Sequence, residues 1–479
     1  MQVENIEQAI WNNALTQPDK IALISDGRQI TYRQLWNGIV AAQQHFRQLQ
    51  LSEKAVILIA ASKHPGFVSA YFGAHLAGIP IAPIDPKTNS DRLSHILSKL
   101  HPVLGIGLTA PKVPLSEEPE LYATFYDREN AFSEVQWPTS EEVADILFTT
   151  GTTGEPKCVP LTHRNILSAV NNINGYLQNK PTDVELLALP ISHSFGLGRL
   201  RCALTNGQTL LLFGSIMGLP KIYRAFETYG VTGFCMVPSI WRMIRDTGIQ
   251  RYASQLNYIE LGSAFLSPDE KIELSYSFPN TRVCMHYGLT EASRSVFLDF
   301  HRNADNLAAV GKPVPGVQIA IFDEQGRKMP DGEPGEVCVA GDHVMSGYLH
   351  ISNADVFYGD YFRTGDWGFL REGFLYLLGR QKELINVGGE KLNPLEIENV
   401  IKTVKGVRDC ACIGVPDPDG ILGEVVKAFI VRSEETLTFE DISRAITGRI
   451  ETYKCPKIYE WLDAIPMTAS GKIQRLKLK

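Results

Sequence analysis

The chain lacks a long hydrophobic run. Apolar stretches such as AVILIAAS, residues 55–62, have the length of one buried strand, whereas a membrane-spanning helix needs roughly 18 or more apolar residues. The first residues, MQVENIEQAIWNNA, mix acidic and apolar side chains at helical spacing and lack the charged and then apolar order of a signal peptide. We therefore expect no membrane partner and a cytoplasmic location.

Positive charge is scarce relative to negative charge. The 479 residues include 46 Lys and Arg against 53 Asp and Glu, which gives a net charge of -7. A nucleic-acid binder that relies on a basic face has the opposite balance, so we expect no nucleic-acid partner. The length allows at least two domains at about 100–200 residues each. We expect a monomer or a homodimer.

Close cysteine pairs are also rare. The eight cysteines are scattered, and only Cys410 and Cys412 are close in sequence. We expect these two to point to opposite faces of the strand DCACIGV, so neither a disulfide nor a zinc site is predicted. Cys158 follows Lys157, a neighbour that favours a thiolate, but we interpret Cys158 as a small bystander rather than a nucleophile.

Apolar strand-like runs alternate with amphipathic helical stretches through most of the chain, as in AVILIAAS, HPGFVSAYFGAHLAG and IPIAPID. This alternation predicts an α/β fold with largely parallel, buried strands. After Val310, short strands punctuated by glycine and proline predict a β-rich subdomain. A compact α+β unit follows. We therefore divide the chain into a large N-terminal domain of mixed α/β subdomains, residues 1–379, and a small C-terminal α+β domain, residues 380–479.

The stretch ILFTTGTTGEPKCVPLTH places glycines, threonines and a lysine behind a short predicted strand, Ile146 to Phe148. Glycine lets the backbone approach an anion closely, successive N–H groups form an anion-binding concavity, and Lys157 supplies positive charge. The stretch is not a P-loop, because Pro156 and Cys158 stand where that motif has glycine and Ser or Thr. We predict a polyphosphate loop of another kind; an ordinary polar connection between strands is the alternative.

Five motifs then occur in one order along the chain. They are TTGTTGEPK (149–157), HYGLTEAS (286–293), YFRTGDWG (361–368), GRQKELINVGGEKLNPLEIE (379–398) and SGKIQRLKLK (470–479). Together they resemble the adenylate-forming, or AMP-binding, superfamily, which includes acyl- and aryl-CoA ligases, adenylation domains of nonribosomal peptide synthetases and luciferase. The resemblance covers nearly the whole chain and implies a small C-terminal domain that is mobile.

The resemblance implies an enzyme that joins a carboxylate to the α-phosphate of ATP, releases pyrophosphate and transfers the acyl group to a thiol. In HYGLTE, Tyr287 would stack on adenine, Thr290 would bond the α-phosphate and Glu291 would coordinate Mg²⁺, a hard ion that prefers oxygen ligands. Asp366 would accept hydrogen bonds from both ribose hydroxyls, with Arg380 nearby. ATP, Mg²⁺ and CoA, or a carrier-protein phosphopantetheine, are the implied cofactors.

The complete set of implied site residues is larger. The implied nucleotide-binding residues are Thr149, Thr150, Gly151, Thr152, Thr153, Gly154, Lys157, Gly262, Ser263, Ala264, His286, Tyr287, Gly288, Thr290, Asp366, Arg380 and Lys472. The implied catalytic residues are Lys472, Thr290, Glu291 and His193, and Glu291 is the implied metal ligand.

Lys472 lies in the basic tail SGKIQRLKLK, where a lysine taken alone is a solvated surface charge. In the family, the lysine of this motif reaches the carboxylate and α-phosphate oxygens, a role that suits a compact charge on a long stem. It would leave the site when the small domain rotates for the second half-reaction. The resemblance places the hinge at Lys382 and a passage for the thiol arm at Gly388 and Gly389.

The substrate class follows from the loop LPISHSFGLG. Members that activate amino acids have an aspartate in this loop, whereas this chain has His193, Ser194 and Phe195. That difference favours a plain carboxylic acid. The implied pocket residues, mostly apolar and consistent with an aryl or medium-chain acyl group, are His193, Phe234, Met236, Val237, Gly262 and Leu289.

The acceptor is less well specified by the sequence. GGEKLNPLEIE resembles CoA ligases, so we expect transfer to CoA; a stand-alone enzyme that loads an acyl or amino acid onto a carrier protein is the alternative. Two other classes remain open, a binding protein that has lost turnover and a luciferase-like oxygenase.

Overall fold

The computed structural model describes residues 3–52, 54–108, 113–128, 135–150, 156–214, 218–380, 383–388, 390–467 and 473–478. Two compact units are present in these residues. The first comprises Met1–Gln318 and Val339–Phe362, and the second comprises Ile319–Cys338 and Arg363–Lys479. The predicted domain boundary between residues 379 and 380 stays a prediction.

The strands, in chain order, are β1 (Ile21–Ser25), β2 (Arg28–Thr31), β3 (Ile57–Ala60), β4 (Ile81–Ile84), β5 (Leu104–Ile106), β6 (Leu115–Glu117), β7 (Val143–Thr150), β8 (Pro156–Thr162), β9 (Val184–Leu187), β10 (Thr209–Leu212), β11 (Gly233–Met236), β12 (Tyr258–Leu261), β13 (Arg282–Tyr287), β14 (Val296–Asp299), β15 (Lys312–Pro313), β16 (Gln318–Phe322), β17 (Gly335–Ala340), β18 (Phe357–Tyr358), β19 (Tyr361–Arg371), β20 (Phe374–Arg380), β21 (Ile385–Val387), β22 (Glu390–Leu392), β23 (Val407–Pro416), β24 (Glu424–Arg432) and β25 (Ile458–Trp461).

The α-helices are α1 (Ile6–Thr16), α2 (Tyr32–Gln48), α3 (Pro65–Leu76), α4 (Ser90–Leu100), α5 (Pro119–Ala123), α6 (His163–Leu177), α7 (Ser194–Thr205), α8 (Leu219–Tyr229), α9 (Pro238–Ile244), α10 (Pro268–Ser277), α11 (Pro394–Lys402) and α12 (Phe439–Ile446). Short 3-10 helices span Thr124–Asp127, Ile249–Tyr252, Ala304–Asn306, Thr452–Lys454 and Arg475–Leu478. Among the helices within the described ranges, none combines the length and apolar character that a membrane crossing requires.

The larger sheet of the first unit has the strand order β15-β14-β13-β12-β11-β9-β10-β1-β2. Its strands from β13 to β1 pair in parallel, and β2, β14 and β15 pair antiparallel at its two ends. Inner parallel strands are covered on both faces, which explains continuous apolar sequences such as TLLL in β10 and GFCM in β11. The predicted α/β fold is confirmed.

A second sheet in the first unit has the order β6-β5-β3-β4-β7-β8. It is parallel as far as β7, and β8 then runs antiparallel to β7. The predicted strand Ile146 to Phe148 is therefore too short. Thr149 pairs with Lys157 and Thr150 with Pro156, so β7 and β8 include the first two and the last two residues of the predicted phosphate loop.

In the second unit, β19 pairs with β20, β21 with β22 and β23 with β24, all antiparallel, while β25 runs parallel to β24. Cys410 and Cys412 in β23 belong to one buried cluster, and Ala411 and Ile413 belong to another. The prediction of opposite faces for the two cysteines was wrong, because residues two apart on a strand share a face. The eight cysteines all lie in described residues and are free thiols.

Candidate active site

The carboxyl ends of four neighbouring strands carry the predicted acid-binding and nucleotide-binding segments. These strands are adjacent in the order β13-β12-β11-β9 and run parallel. The chain leaves them through residues 188–193, 237, 262–264 and 288–291. Because ligands of open α/β sheets bind outside the carboxyl ends of the strands, the fold brings these distant segments to one candidate site.

Tyr348 links the predicted phosphate lysine to the predicted metal ligand. The Nζ atom of Lys157 lies 4.6 Å from the ring centre of Tyr348, within the range of a cation–π contact. The Tyr348 hydroxyl donates a hydrogen bond of 2.6 Å to Oε1 of Glu291, a residue that is 6% exposed. Sequence reasoning missed Tyr348, since no spacing in the sequence relates it to either partner.

The segment that carries Tyr348 is anchored on both sides. The backbone N–H of Met345 donates to the carbonyl of Glu291 at 2.9 Å, and the N–H of Leu349 donates to the carbonyl of Cys158 at 3.1 Å. One short segment therefore connects the turn that holds Glu291 to strand β8, which holds Lys157. This scaffold positions a cation and a carboxylate oxygen, the two groups that a polyphosphate with a hard metal ion requires.

Small residues follow β12 and β13, where the backbone comes close to other parts of the chain. A Cβ atom added to Gly262 would lie 2.1 Å from Cε1 of His286, and one added to Gly288 would lie 2.3 Å from the backbone N of Arg294. Ser263, which precedes the partly exposed Ala264, has a left-handed φ of 71°. Left-handed backbone at a non-glycine residue is strained and is often found at functional sites.

His286 faces a buried carboxylate. Its Nδ1 lies 2.7 Å from Oε1 of Glu260, and Arg294 Nε donates to the same oxygen at 3.0 Å. Burial alone would raise the pKa of Glu260, but Arg294 and His286 outweigh it and hold that pKa well below its ordinary value. Burial lowers the pKa of His286 despite the opposing effect of Glu260. The lowered pKa of His286 favours its neutral imidazole beside the ionised Glu260.

The predicted pocket residues differ in their exposure. His193, directly before α7, is exposed, while Val237, Leu289 and the nearby Thr290 are partly exposed. Tyr287 is 9% exposed. In contrast, Phe234 and Met236 have no exposed surface within β11, so in this structure they support the site from behind rather than line an open pocket.

In the second unit, Asp366 and Arg380 are cross-strand partners in β19 and β20. Arg380 Nε lies 2.7 Å from Asp366 Oδ1, and Arg380 Nη1 donates to the Thr364 carbonyl at 3.0 Å. The side chain of Asp366 is 10% exposed, and that of Arg380 is 37% exposed. The structure thus brings together the two residues that were predicted to contact the ribose.

Gly388 has a left-handed φ of 61° and follows β21 at the turn to β22, where its N–H donates to the Leu422 carbonyl at 2.8 Å.

The remaining predicted site residues lie outside the described residues. They are Gly151, Thr152, Thr153, Gly154, Lys382, Gly389 and Lys472, together with the side chain of Thr150.

A second group of possible metal ligands lies away from this site. Potential ligand atoms of Glu7, His75 and His163 are within 4.8 Å of one another, and all three residues are buried. His75 Nδ1 is only 2.6 Å from Glu7 Oε1, which is a hydrogen-bond distance, and His75 Nε2 is 3.1 Å from Asp145 Oδ1. Arg201 also pairs with Asp145, so this buried carboxylate already has a cationic partner. We interpret the cluster as a buried ion-pair network.

Comparison with known protein families agrees with this geometry. Residues 10–349 match the AMP-binding enzyme family, and residues 396–472 match the AMP-binding enzyme C-terminal domain. The chain therefore belongs to the family of AMP-binding enzymes, and the resemblance seen in the motifs is confirmed.

Individual relatives include ligases with different acceptors. The chain is 34% identical over 352 residues to an oxalate–CoA ligase of Saccharomyces cerevisiae, which covers 70% of this chain and 62% of that protein. It is 27% identical over 507 residues to a fatty acid–[acyl-carrier-protein] ligase of Streptomyces coeruleorubidus, which covers 100% and 96%. The alignments with the first curated relatives span 62 to 66% of the length of those proteins.

Among solved structures, the fold is similar to that of o-succinylbenzoate coenzyme A synthetase from Bacillus subtilis in complex with ATP and a magnesium ion. The TM-score is 0.88, the identity is 24%, and 98% of each chain is covered. This likeness shows that nearly the whole chain has the same fold as that enzyme.

Proposed function

We propose that this protein activates a carboxylic acid with ATP, forming an acyl-adenylate and pyrophosphate, and then transfers the acyl group to the thiol of CoA. The observation that carries the proposal is the connection of Lys157 to Glu291 through Tyr348. It places a positive charge and a hard oxygen ligand in contact with the same tyrosine, and the leaving pyrophosphate requires both groups. Membership of the AMP-binding enzyme family supports the same reaction.

Each of the proposed site residues has a separate role in adenylation. Lys157 stabilises the negative charge that develops on the β- and γ-phosphates as the bond to the α-phosphate breaks. Glu291 would hold Mg²⁺, which supplies further positive charge to the phosphate oxygens. Tyr287 provides a ring for adenine and Thr290 a hydroxyl for the α-phosphate. Lys472 would place its ammonium on the reacting oxygens.

We assign binding of the ribose to Asp366 in the second unit. Asp366 accepts a charge-assisted contact from Arg380 at 2.7 Å, which holds the carboxylate in one orientation. An oriented carboxylate is a suitable acceptor for two adjacent hydroxyl groups. Asp366 would thus bind both ribose hydroxyls, with Arg380 as its positioning partner.

For the acid, we propose an aryl or medium-chain acyl group. Residues His193, Ser194 and Phe195, at the start of α7, include no carboxylate to hold an α-ammonium. The nearby Arg199 and Arg294 are buried and paired with Glu185 and Glu260, so neither supplies a charge for a second carboxylate. An uncharged acyl tail agrees best with these pairings.

The second candidate function differs in the acceptor. The whole-chain similarity to a fatty acid–[acyl-carrier-protein] ligase favours loading of a carrier-protein phosphopantetheine instead of CoA. Both acceptors present the same thiol on the same flexible arm. The passage predicted at Gly388 and Gly389 would serve either one.

Pyrophosphate exchange tests the proposal. Purified protein is incubated with ATP, Mg²⁺, labelled pyrophosphate and one member of an aryl, fatty or amino acid panel, and formation of labelled ATP is measured. We expect exchange with aryl or medium-chain acids and little with amino acids. Acids that support pyrophosphate exchange are then tested for thioester formation with CoA and with a phosphopantetheinylated carrier protein. Exchange with no acid of the panel would refute the activity, and transfer only to the carrier protein would select the second candidate.

A further inference from the structure

Arg294 is a buried arginine that the predicted mechanism does not use. It is 2% exposed and has a left-handed φ of 54°. Its side chain lies between the end of β12, the chain that follows β13 and the first turn of α7, whose residues Ser194 and Phe195 belong to the predicted acid-binding loop. An arginine in strained backbone and without solvent contact requires a dense set of partners.

The partners of Arg294 belong to the predicted acid-binding loop and to Glu260. Nη2 donates to the Phe195 carbonyl at 2.8 Å, and Nη1 donates to the Ser194 carbonyl at 3.2 Å. Nε donates to Glu260 Oε1 at 3.0 Å, and the guanidinium lies 4.8 Å from the Phe195 ring centre. Both carbonyls belong to the residues directly after His193. The guanidinium therefore holds the backbone on which the exposed His193 is placed.

Glu260 extends this connection to the nucleotide segment. The carboxyl oxygen that accepts from Arg294 also lies 2.7 Å from Nδ1 of His286, and the rings of His286 and Phe195 are in edge-to-face contact at 4.6 Å. His286 precedes Tyr287 in β13. One guanidinium–carboxylate pair thus connects the acid loop to the segment that would hold adenine and the α-phosphate.

The fold leaves space for this guanidinium at one glycine. A Cβ atom added to Gly198, in the first turns of α7, would lie 2.4 Å from Nη1 of Arg294 and 3.2 Å from Cζ. The guanidinium is enclosed on its other sides, so an added methyl group requires that the side chain or the helix moves. Gly198 therefore offers a way to displace Arg294 without the removal of any charge.

We propose that Arg294 is a positioning residue for adenylation, which sets the acid-binding loop at residues 193–195 relative to the nucleotide segment. This inference rests on the proposed function, because it assigns the acid to that loop. Arg294 acts through the Ser194 and Phe195 carbonyls and contacts neither substrate. Displacement of this residue moves the acid relative to the α-phosphate, and small errors in such alignment lower rates strongly.

The test uses pyrophosphate exchange with the best acid, with the KM for acid and for ATP measured separately. In Gly198→Ala we expect kcat to fall by about tenfold to a hundredfold and the KM for the acid to rise, with the KM for ATP changed by about twofold at most. Arg294→Lys, which keeps the charge but loses the planar fork, should lower kcat and raise the KM for the acid as Gly198→Ala does. Gly175→Ala in α6 is the matched control, since no atom lies within 4 Å of an added Cβ there.

Thermal unfolding of each variant separates positioning from stability. A folded Gly198→Ala protein with wild-type constants, or with equal changes in the KM for acid and for ATP, would overturn the proposal. If Gly198→Ala does not fold, either of these two outcomes in Arg294→Lys would overturn the proposal instead. Loss of exchange in the wild-type protein would instead refute the proposed function and this inference with it, so the two failures are distinguishable.

Discussion

The hydroxyl of Tyr348 donates a hydrogen bond of 2.6 Å to Oε1 of Glu291. The same tyrosine places its ring 4.6 Å from Nζ of Lys157. One side chain therefore orients the proposed metal ligand through its hydroxyl and the proposed phosphate cation through its ring. This double contact makes Tyr348 the residue whose substitution separates the two effects.

Tyr348→Phe keeps the ring beside Lys157 and removes only the hydrogen bond to Glu291. A hydrogen bond to a charged group contributes about 1.5–3 kcal/mol, so we expect adenylation to fall by about tenfold or more at limiting Mg²⁺. Titration of pyrophosphate exchange with Mg²⁺ measures the change. Tyr276→Phe is the control, because Tyr276 is 83% exposed. An unchanged Mg²⁺ dependence in Tyr348→Phe would remove Tyr348 from the metal site.

Lys157→Ala removes a positive charge from the proposed pyrophosphate site. The loss of a charge-assisted contact costs about 1.5–3 kcal/mol, or about tenfold to a hundredfold in rate. We expect the effect chiefly in the ATP dependence of adenylation, with nearly normal transfer from a supplied acyl-adenylate, which has no β- or γ-phosphate. Lys54→Ala, at an exposed position, is the control. A raised KM for the acid alone would contradict the assignment of Lys157.

Local motifs explain what the sequence could predict. Lys157, Glu291 and Asp366 each lie in a short stretch whose residue types suit phosphate, metal or ribose, so a resemblance in sequence was enough to predict their roles, which stay predictions. The α/β fold followed similarly from the alternation of apolar strands and amphipathic helices.

Contacts across strands explain what the sequence could not predict. Tyr348 reaches Glu291 because residues 344–349 are hydrogen-bonded both to the turn that holds Glu291 and to β8. Arg294 reaches the Phe195 carbonyl because β13, β12, β11 and β9 are consecutive strands of one sheet. Neither relation has a period or a spacing along the chain. The full burial of Phe234 and Met236 likewise depends on layers that cover both faces of β11.

Lys472→Ala tests the separation of the two half-reactions. Lys472 follows the proposed hinge at Lys382 in sequence, so the family's domain rotation would remove it from the site after adenylation. We expect Lys472→Ala to abolish pyrophosphate exchange and to spare thioester formation from a supplied acyl-adenylate. Lys477→Ala, an exposed lysine of the same tail, is the control. Equal loss of both half-reactions would refute a two-position mechanism.

The buried network around Glu7 predicts how stability responds to pH. Glu7 Oε1 lies 2.6 Å from His75 Nδ1, and Glu7 Oε2 lies 3.3 Å from His163 Nδ1. Burial alone would raise the pKa of Glu7, but the two histidines outweigh it and hold that pKa well below its ordinary value of 4.5. A carboxyl group with a lowered pKa stabilises the folded state above its unfolded pKa, and the stabilisation is lost as the pH falls.

Glu7→Gln should therefore lower the free energy of unfolding at neutral pH by about 3–5 kcal/mol, because it leaves two buried histidines without their carboxylate. The difference between variant and wild type should shrink as the pH falls below 4.5, where protonation of the wild-type carboxyl in the unfolded state removes the same contribution. Urea unfolding of both proteins across this pH range measures it. Glu4→Gln, at an exposed position just before α1, controls for a change of charge near the same helix. A difference that is independent of pH would show that packing, rather than the ion pairs, accounts for the effect of Glu7.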